Sequence, residues 1–171
     1  VDNELLRQWF KSYDHTKITI GVVASHSSLQ ILHGARLEGF RTLGIAVGEN
    51  RRKIYSAFPG ADPDEWLMLD SYREMLDYAE WFRENNVIII PHGSLVEYLG
   101  STNFKSLQVP TFGNRGILHW ESSRERQRQW LEKGGCSMPK VIDDPHEIDG
   151  PVIVKYAGAK GGEGDFIARD Y

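Results

Sequence analysis

Apolar positions in this chain keep two rhythms that take turns. Leu5, Leu6, Trp9, Phe10 and Tyr13 recur at helical spacing in NELLRQWFKSY. KITIGVVAS follows, β-branched and mostly apolar, and predicts a buried strand. Helical spacing returns through Leu29, Leu32, Ala35 and Phe40, and TLGIAV predicts a second strand. From Gly48 to Asp64 the chain is charged and punctuated by Gly and Pro, with no period. EWLMLD predicts a third strand. SYREMLDYAEWFRENN predicts one continuous helix, capped by Ser71 with Glu74 completing a capping box, its inner face Met75, Leu76, Ala79 and Phe82. VIIIPH is a fourth strand, and SLVEYLG a short helix ended by glycine.

Strands alternating with helices predict an α/β fold, a Rossmann-like parallel sheet covered on both faces. Right-handed crossovers then place every strand-to-helix loop at one sheet edge. Ligands bind at that edge, where the strand order reverses. Two loops stand out there: ASHSSL after the first strand and PHGSL after the fourth. Each sets a histidine and a serine between a buried strand and a helix start, where backbone N–H groups and hydroxyls suit an anion. The plainer alternative makes the serines helix caps.

Beyond Gly100 the pattern turns irregular, rich in turn residues through FKSLQVPTFGNRGILHWES. SRERQRQWLEKGG predicts a polar helix stopped at Gly134 and Gly135. A second unit is expected from about residue 119, dividing the chain into domains 1–118 and 119–171. Its first full strand is PVIVKY. Then comes AGAKGGEG, and DFIA reads as another strand. Glycines let a backbone approach phosphates closely, and Lys155 and Lys160 supply charge. The spacing is not G-x-x-x-x-G-K-[ST] before a helix. Either this is a strand–loop–strand cover for phosphates, or an ordinary hairpin with turn glycines.

Composition narrows the class. The chain has 171 residues, 40% hydrophobic and 26% charged, with net charge −4. That argues against a nucleic-acid partner. One cysteine, Cys136, excludes a disulfide framework and suits a reducing cytosol. VDNELLRQWF reads as neither signal peptide nor membrane span, so a cytoplasmic protein with no membrane partner is expected. Trp66, Trp81, Trp120 and Trp130 are core residues or interface anchors.

The lysine-ended strand, glycine hairpin and second strand resemble the small lobe of an ATP-grasp ligase. In SRERQRQWLEKGGCSMP, Arg124 stands where that superfamily opens a helix with a cation, and Gly135 and Pro139 complete its small-Gly-x-x-x-Pro turn. SHSSLQILHGARLEGF, IPHGSLVEYLG, VPTFGNRGILHWES and IVKYAGAKGGEGDFIA, in that order, resemble the archaeal formate-dependent 5-aminoimidazole-4-carboxamide ribonucleotide formyltransferase family. The likeness runs from about Ile18 to Ala168.

The resemblance implies a pre-ATP-grasp domain followed by the start of the small lobe. It implies a carbon–nitrogen ligase of purine synthesis that uses ATP to activate formate, as formyl phosphate, for attack by the nucleotide's amine. No covalent enzyme nucleophile is implied. His26, Ser27, Gly93 and Ser94 would bind the aminoimidazole nucleotide. Arg124, Lys155, Gly158, Ala159, Lys160, Gly161, Gly162 and Gly164 would bind ATP. Mg2+ or Mn2+ would be held by carboxylates of a C-terminal lobe that is not in this sequence, as would the formate pocket, so the chain is not expected to catalyse alone. A homo-oligomer is implied for the full length. The sequence departs from the family at Glu163 and Gly116, usually basic, and at Asp165, usually aromatic. A carboxylate beside ATP phosphates costs on the order of 1 kcal/mol when partly screened. A paralogue acting on another small carboxylate and amine, or a ribonucleotide-binding module without chemistry, therefore stays open.

Overall fold

β-Branched runs form the centre of the first unit. The computed structural model describes residues 2–121, 123–155 and 165–171. The chain divides into two units, Val1–Arg115 and Gly116–Tyr171. In the first, β1 (Thr19–Val23), β2 (Arg41–Val47), β3 (Glu65–Leu69) and β4 (Val87–Ile89) make a sheet of order β3-β2-β1-β4. Every pairing is parallel. Val22, Val23, Ile45, Val87 and Ile89 are fully buried, as strands covered on both faces require. Burying each such side chain contributes about 1.5–3 kcal/mol.

Helices supply the cover. They are α1 (Asn3–Ser12), α2 (Ser28–Leu37), α3 (Glu49–Ser56), α4 (Ala79–Glu84), α5 (Gly93–Leu99) and α6 (Ser101–Ser106). Leu32 of α2, Phe82 of α4, Leu95 of α5 and Phe104 of α6 lie in the core. No residue of α1 is buried, but Tyr13 just after it is, and its hydroxyl donates to Val87 O at 3.0 Å. Gly44 of β2 lies against Trp66, where a β-carbon would come within 2.6 Å of the indole ring. Close strand packing, rather than flexibility, accounts for that glycine.

The segments from Ser71 and after Gly48 differ from the sequence expectation, as does the stretch after Gly100, which carries α6. The segment read as one helix from Ser71 is a 3-10 turn, Tyr72–Leu76, followed by α4. The expected N-terminal signal is present, Glu74 Oε1 accepting from Ser71 N–H at 3.0 Å. Met75, Ala79 and Phe82 still face inward. The turn tightens because Asp77 N–H donates to Glu74 O, three residues back, at 2.9 Å. The aperiodic stretch after Gly48 contains a helix, α3, with no buried residue. Without an apolar face it leaves no hydrophobic period to read.

The second unit carries α7 (Ile117–Glu121), α8 (Arg124–Lys133) and an antiparallel pair, β5 (Val152–Val154) and β6 (Phe166–Ala168). α8 ends at Gly134, and Gly135 takes φ +80, the left-handed residue that closes a helix. Cys136 N–H returns to Leu131 O at 3.0 Å.

Candidate functional site

β1 leaves the sheet beside β4, and β2 and β3 lie on its other side. The strand order reverses there, so the crevice between the loops after β1 and β4 is the expected ligand position. After Val23 the chain turns through Ala24, Ser25, His26 and Ser27 into α2. Ser28 closes this turn. Ser25 N–H donates to Ser28 Oγ at 3.0 Å, and Ser28 Oγ donates to Ser25 O at 2.6 Å. His26 is exposed above it. Ser27 precedes α2 but its side chain makes no capping bond.

On the β4 side, His92 precedes α5 in extended conformation, Gly93 opens the helix and Ser94 is buried in its first turn. Ser94 does not occupy the cap position and Ser27 is not spent as a cap, so the capping alternative does not describe these loops. His92 ties the loops together. Its Nε2 lies 3.1 Å from Val23 O. A carbonyl only accepts, so Nε2 carries the proton. Burial pushes the ring's pKa below its ordinary 6.5; the Val23 carbonyl opposes this and repulsion from His26 adds to it. A neutral ring leaves Nδ1 as an acceptor, and that nitrogen is buried with no partner among the described residues. Ile90 N–H donates to Gly21 O at 2.9 Å, continuing the pairing up to the loop.

A cation that the sequence reading missed stands at the same edge. Arg51 of α3 donates through Nη1 to Ala24 O at 2.9 Å and to the Tyr98 hydroxyl at 3.1 Å. Its guanidinium lies over the Tyr98 ring, 4.9 Å from the centroid. Tyr98 in turn stacks on Tyr72 at 4.9 Å and 14°. All four strand-to-helix connections thus reach one cluster. No local signal marks Arg51, because only the strand order brings α3 beside the β1 loop.

In the second unit, Arg124 is the first residue of α8, after Ser123, whose side chain accepts from Arg126 N–H. Arg128 Nη2 donates to Pro139 O at 2.6 Å, fastening the turn that follows the helix. Lys155 is exposed at the end of β5, and Asp165 is half-buried before β6. Gly158, Ala159, Lys160, Gly161, Gly162, Glu163 and Gly164 lie outside the described residues. Among the described residues, no three His, Cys, Asp or Glu side chains gather into a metal site. None of the described helices is long and apolar enough to cross a membrane. A concavity of about 640 Å³ in the first unit, lined by Leu6, Phe10, Phe112 and Arg115 among others, holds none of the expected site residues.

The family model described as "Protein of unknown function (DUF1246)" matches residues 20–142. The 5-formaminoimidazole-4-carboxamide-1-(beta)-D-ribofuranosyl 5'-monophosphate synthetase of Methanosarcina barkeri is 55% identical over 171 residues, 100% of this chain and 48% of that protein. The synthetase of the same name from Archaeoglobus fulgidus is 47% identical over 159 residues, 92% of this chain and 43% of that protein. The chain therefore spans about half the length of the curated relatives it matches. Among solved structures, N5-carboxyaminoimidazole synthetase from Staphylococcus aureus superposes with a TM-score of 0.68 at 13% identity, over 91% of this chain and 42% of that one. The Thermotoga maritima N5-carboxyaminoimidazole ribonucleotide synthetase gives 0.63 at 16%, over 90% and 41%. The chain accordingly shares its fold with about two fifths of those synthetases, a parallel α/β sheet followed by a short antiparallel strand pair.

Proposed function

The chain belongs to the DUF1246 family, and from that premise we propose that it is the nucleotide-binding N-terminal part of a formate-dependent, ATP-dependent carbon–nitrogen ligase of purine synthesis. The acceptor is 5-aminoimidazole-4-carboxamide ribonucleotide. ATP phosphorylates formate, the acceptor amine attacks the formyl carbon, and phosphate leaves to give the formamido nucleotide. One observation carries the acceptor assignment: the loops bearing His26 and Ser94 meet at the switch point, joined by His92 and Val23. His26, Ser27, Gly93 and Ser94 hold the acceptor in this reading. Lys155 and Arg124, at the end of β5 and the start of α8, bind ATP together with the glycines between β5 and β6. With no enzyme nucleophile, the chain contributes positioning and charge. Carboxylates of the C-terminal half would hold Mg2+ or Mn2+, which would neutralise charge on the phosphates. In this reading the whole protein works in the cytoplasm as a homo-oligomer.

Calorimetry with the aminoimidazole carboxamide ribonucleotide tests the acceptor site. Binding is expected, and His26→Ala should weaken it about tenfold, the scale of one hydrogen bond to a charged group. No heat from protein shown to be folded by circular dichroism would count against the site.

A further inference from the structure

Arg51 has donors left over. Its Nη1 is committed to Ala24 O and Tyr98. Nη2 and Nε make no hydrogen bond to a described residue, and among the described residues the titratable groups that act on the guanidinium electrostatically are the phenols of Tyr72, Tyr98 and Tyr55. The neighbouring carboxylate, Glu49, is held by both Nε and Nη2 of Arg52. Arg51 is thus a half-buried cation with no acid partner among the described residues, fixed by a ring stack. It is bound to the carbonyl two residues before His26. A half-buried charge without a counter-ion is unfavourable unless something anionic completes it. The free side of the guanidinium offers a planar pair of N–H groups, the geometry that suits a phosphate.

We propose that Arg51 binds the 5′-phosphate of the acceptor ribonucleotide, with the Tyr98–Tyr72 stack holding the guanidinium toward the switch-point crevice. The inference rests on the acceptor reading above and adds an orientation to it: phosphate toward α3, reacting base toward the His26 and Ser94 loops. Arg51 then discriminates nucleotide from nucleoside, since only the nucleotide carries the charge that completes the guanidinium.

The test compares the aminoimidazole carboxamide ribonucleotide with its nucleoside, by equilibrium binding to the full-length protein without ATP or formate. The wild type should prefer the nucleotide. Arg51→Gln should lower nucleotide affinity by roughly 10- to 100-fold, the range for hydrogen bonds to charged groups, and leave nucleoside affinity unchanged. Arg51→Lys, which keeps the charge without the fork, should lose several-fold. Should Arg51→Gln not fold, the lysine variant carries the test alone. An unchanged preference for nucleotide in a folded variant would overturn the proposal. So would an equal loss for both ligands, which would make Arg51 only a support for the loop through Ala24. If the wild type binds neither ligand, the acceptor reading itself fails, an outcome distinct from failure of Arg51 alone.

Discussion

At the scale of single residues, the site is built from atoms that face one another across the sheet edge rather than along the chain. His92 shows what this means for pH. Its pKa in the folded protein lies below the ordinary 6.5, first because the ring is buried. The folded state therefore resists a proton that the unfolded state accepts. This contribution is complete above about 6.5 and is lost as pH falls toward the folded value. Urea midpoints should fall between pH 7 and pH 5, and His92→Gln should flatten that part of the decline. Parallel curves for wild type and variant would show that the ring is not held neutral. At this scale the two loops were legible, because polar residues between a strand and a helix are conspicuous in sequence; the choice of His26 and Ser94 within them came from the family resemblance. Ser28, Arg51 and Tyr98 were not. Their importance lies in bonds to Ser25, Ala24 and each other, which no local pattern encodes.

Among elements, those with an apolar face were legible and those without one were not. β-Branched runs gave three of the four parallel strands and the apolar EWLMLD the other, and Leu32 and Ala35 marked the inner face of α2. The α3 segment ENRRKIYS offers no such period, so its helix, and with it Arg51, was hidden. The tightened turn at Tyr72–Leu76 escaped because Met75, Ala79 and Phe82 fit both arrangements. The segment from α6 to Thr111 was also read as irregular, yet Thr111 bridges Ile89 in parallel and extends the β4 side of the sheet. Arg115 secures that segment. Its guanidinium donates to Val109 O at 3.3 Å, Leu107 O at 2.8 Å and Phe104 O, and lies 4.8 Å from the centroid of the Phe104 ring. Burial lowers its pKa to about 10. Arg115→Met would leave three carbonyls to find other partners and should cost about 2–4 kcal/mol, read from urea unfolding. A loss under 0.5 kcal/mol would mean that solvent satisfies those carbonyls.

For the molecule as a whole, the proposed function divides along the chain. In that reading the first unit holds the acceptor crevice, and β5, β6 and α8 begin the ATP side. The relatives are about twice as long as this chain. Formate-dependent release of phosphate from ATP should therefore appear with the full-length protein and be undetectable with residues 1–171, followed by a coupled phosphate assay. Turnover by residues 1–171 alone would refute the division. Much faster turnover of another small carboxylate by the full-length protein would favour a paralogue, the possibility raised by Glu163 and Asp165.

The pairing of β4 with β1 has a further consequence in time. Three crossovers and the whole of β2 and β3 separate Thr19 from Val87 in sequence. Contacts so far apart in sequence form slowly, because chain closure must precede their reward. The His26–His92 crevice therefore exists only once the last strand has docked. On the proposed reading, a nucleotide bound there would recognise a finished sheet and no earlier species. It would act as a latch on the slowest step of assembly, stabilising the completed unit in proportion to its occupancy.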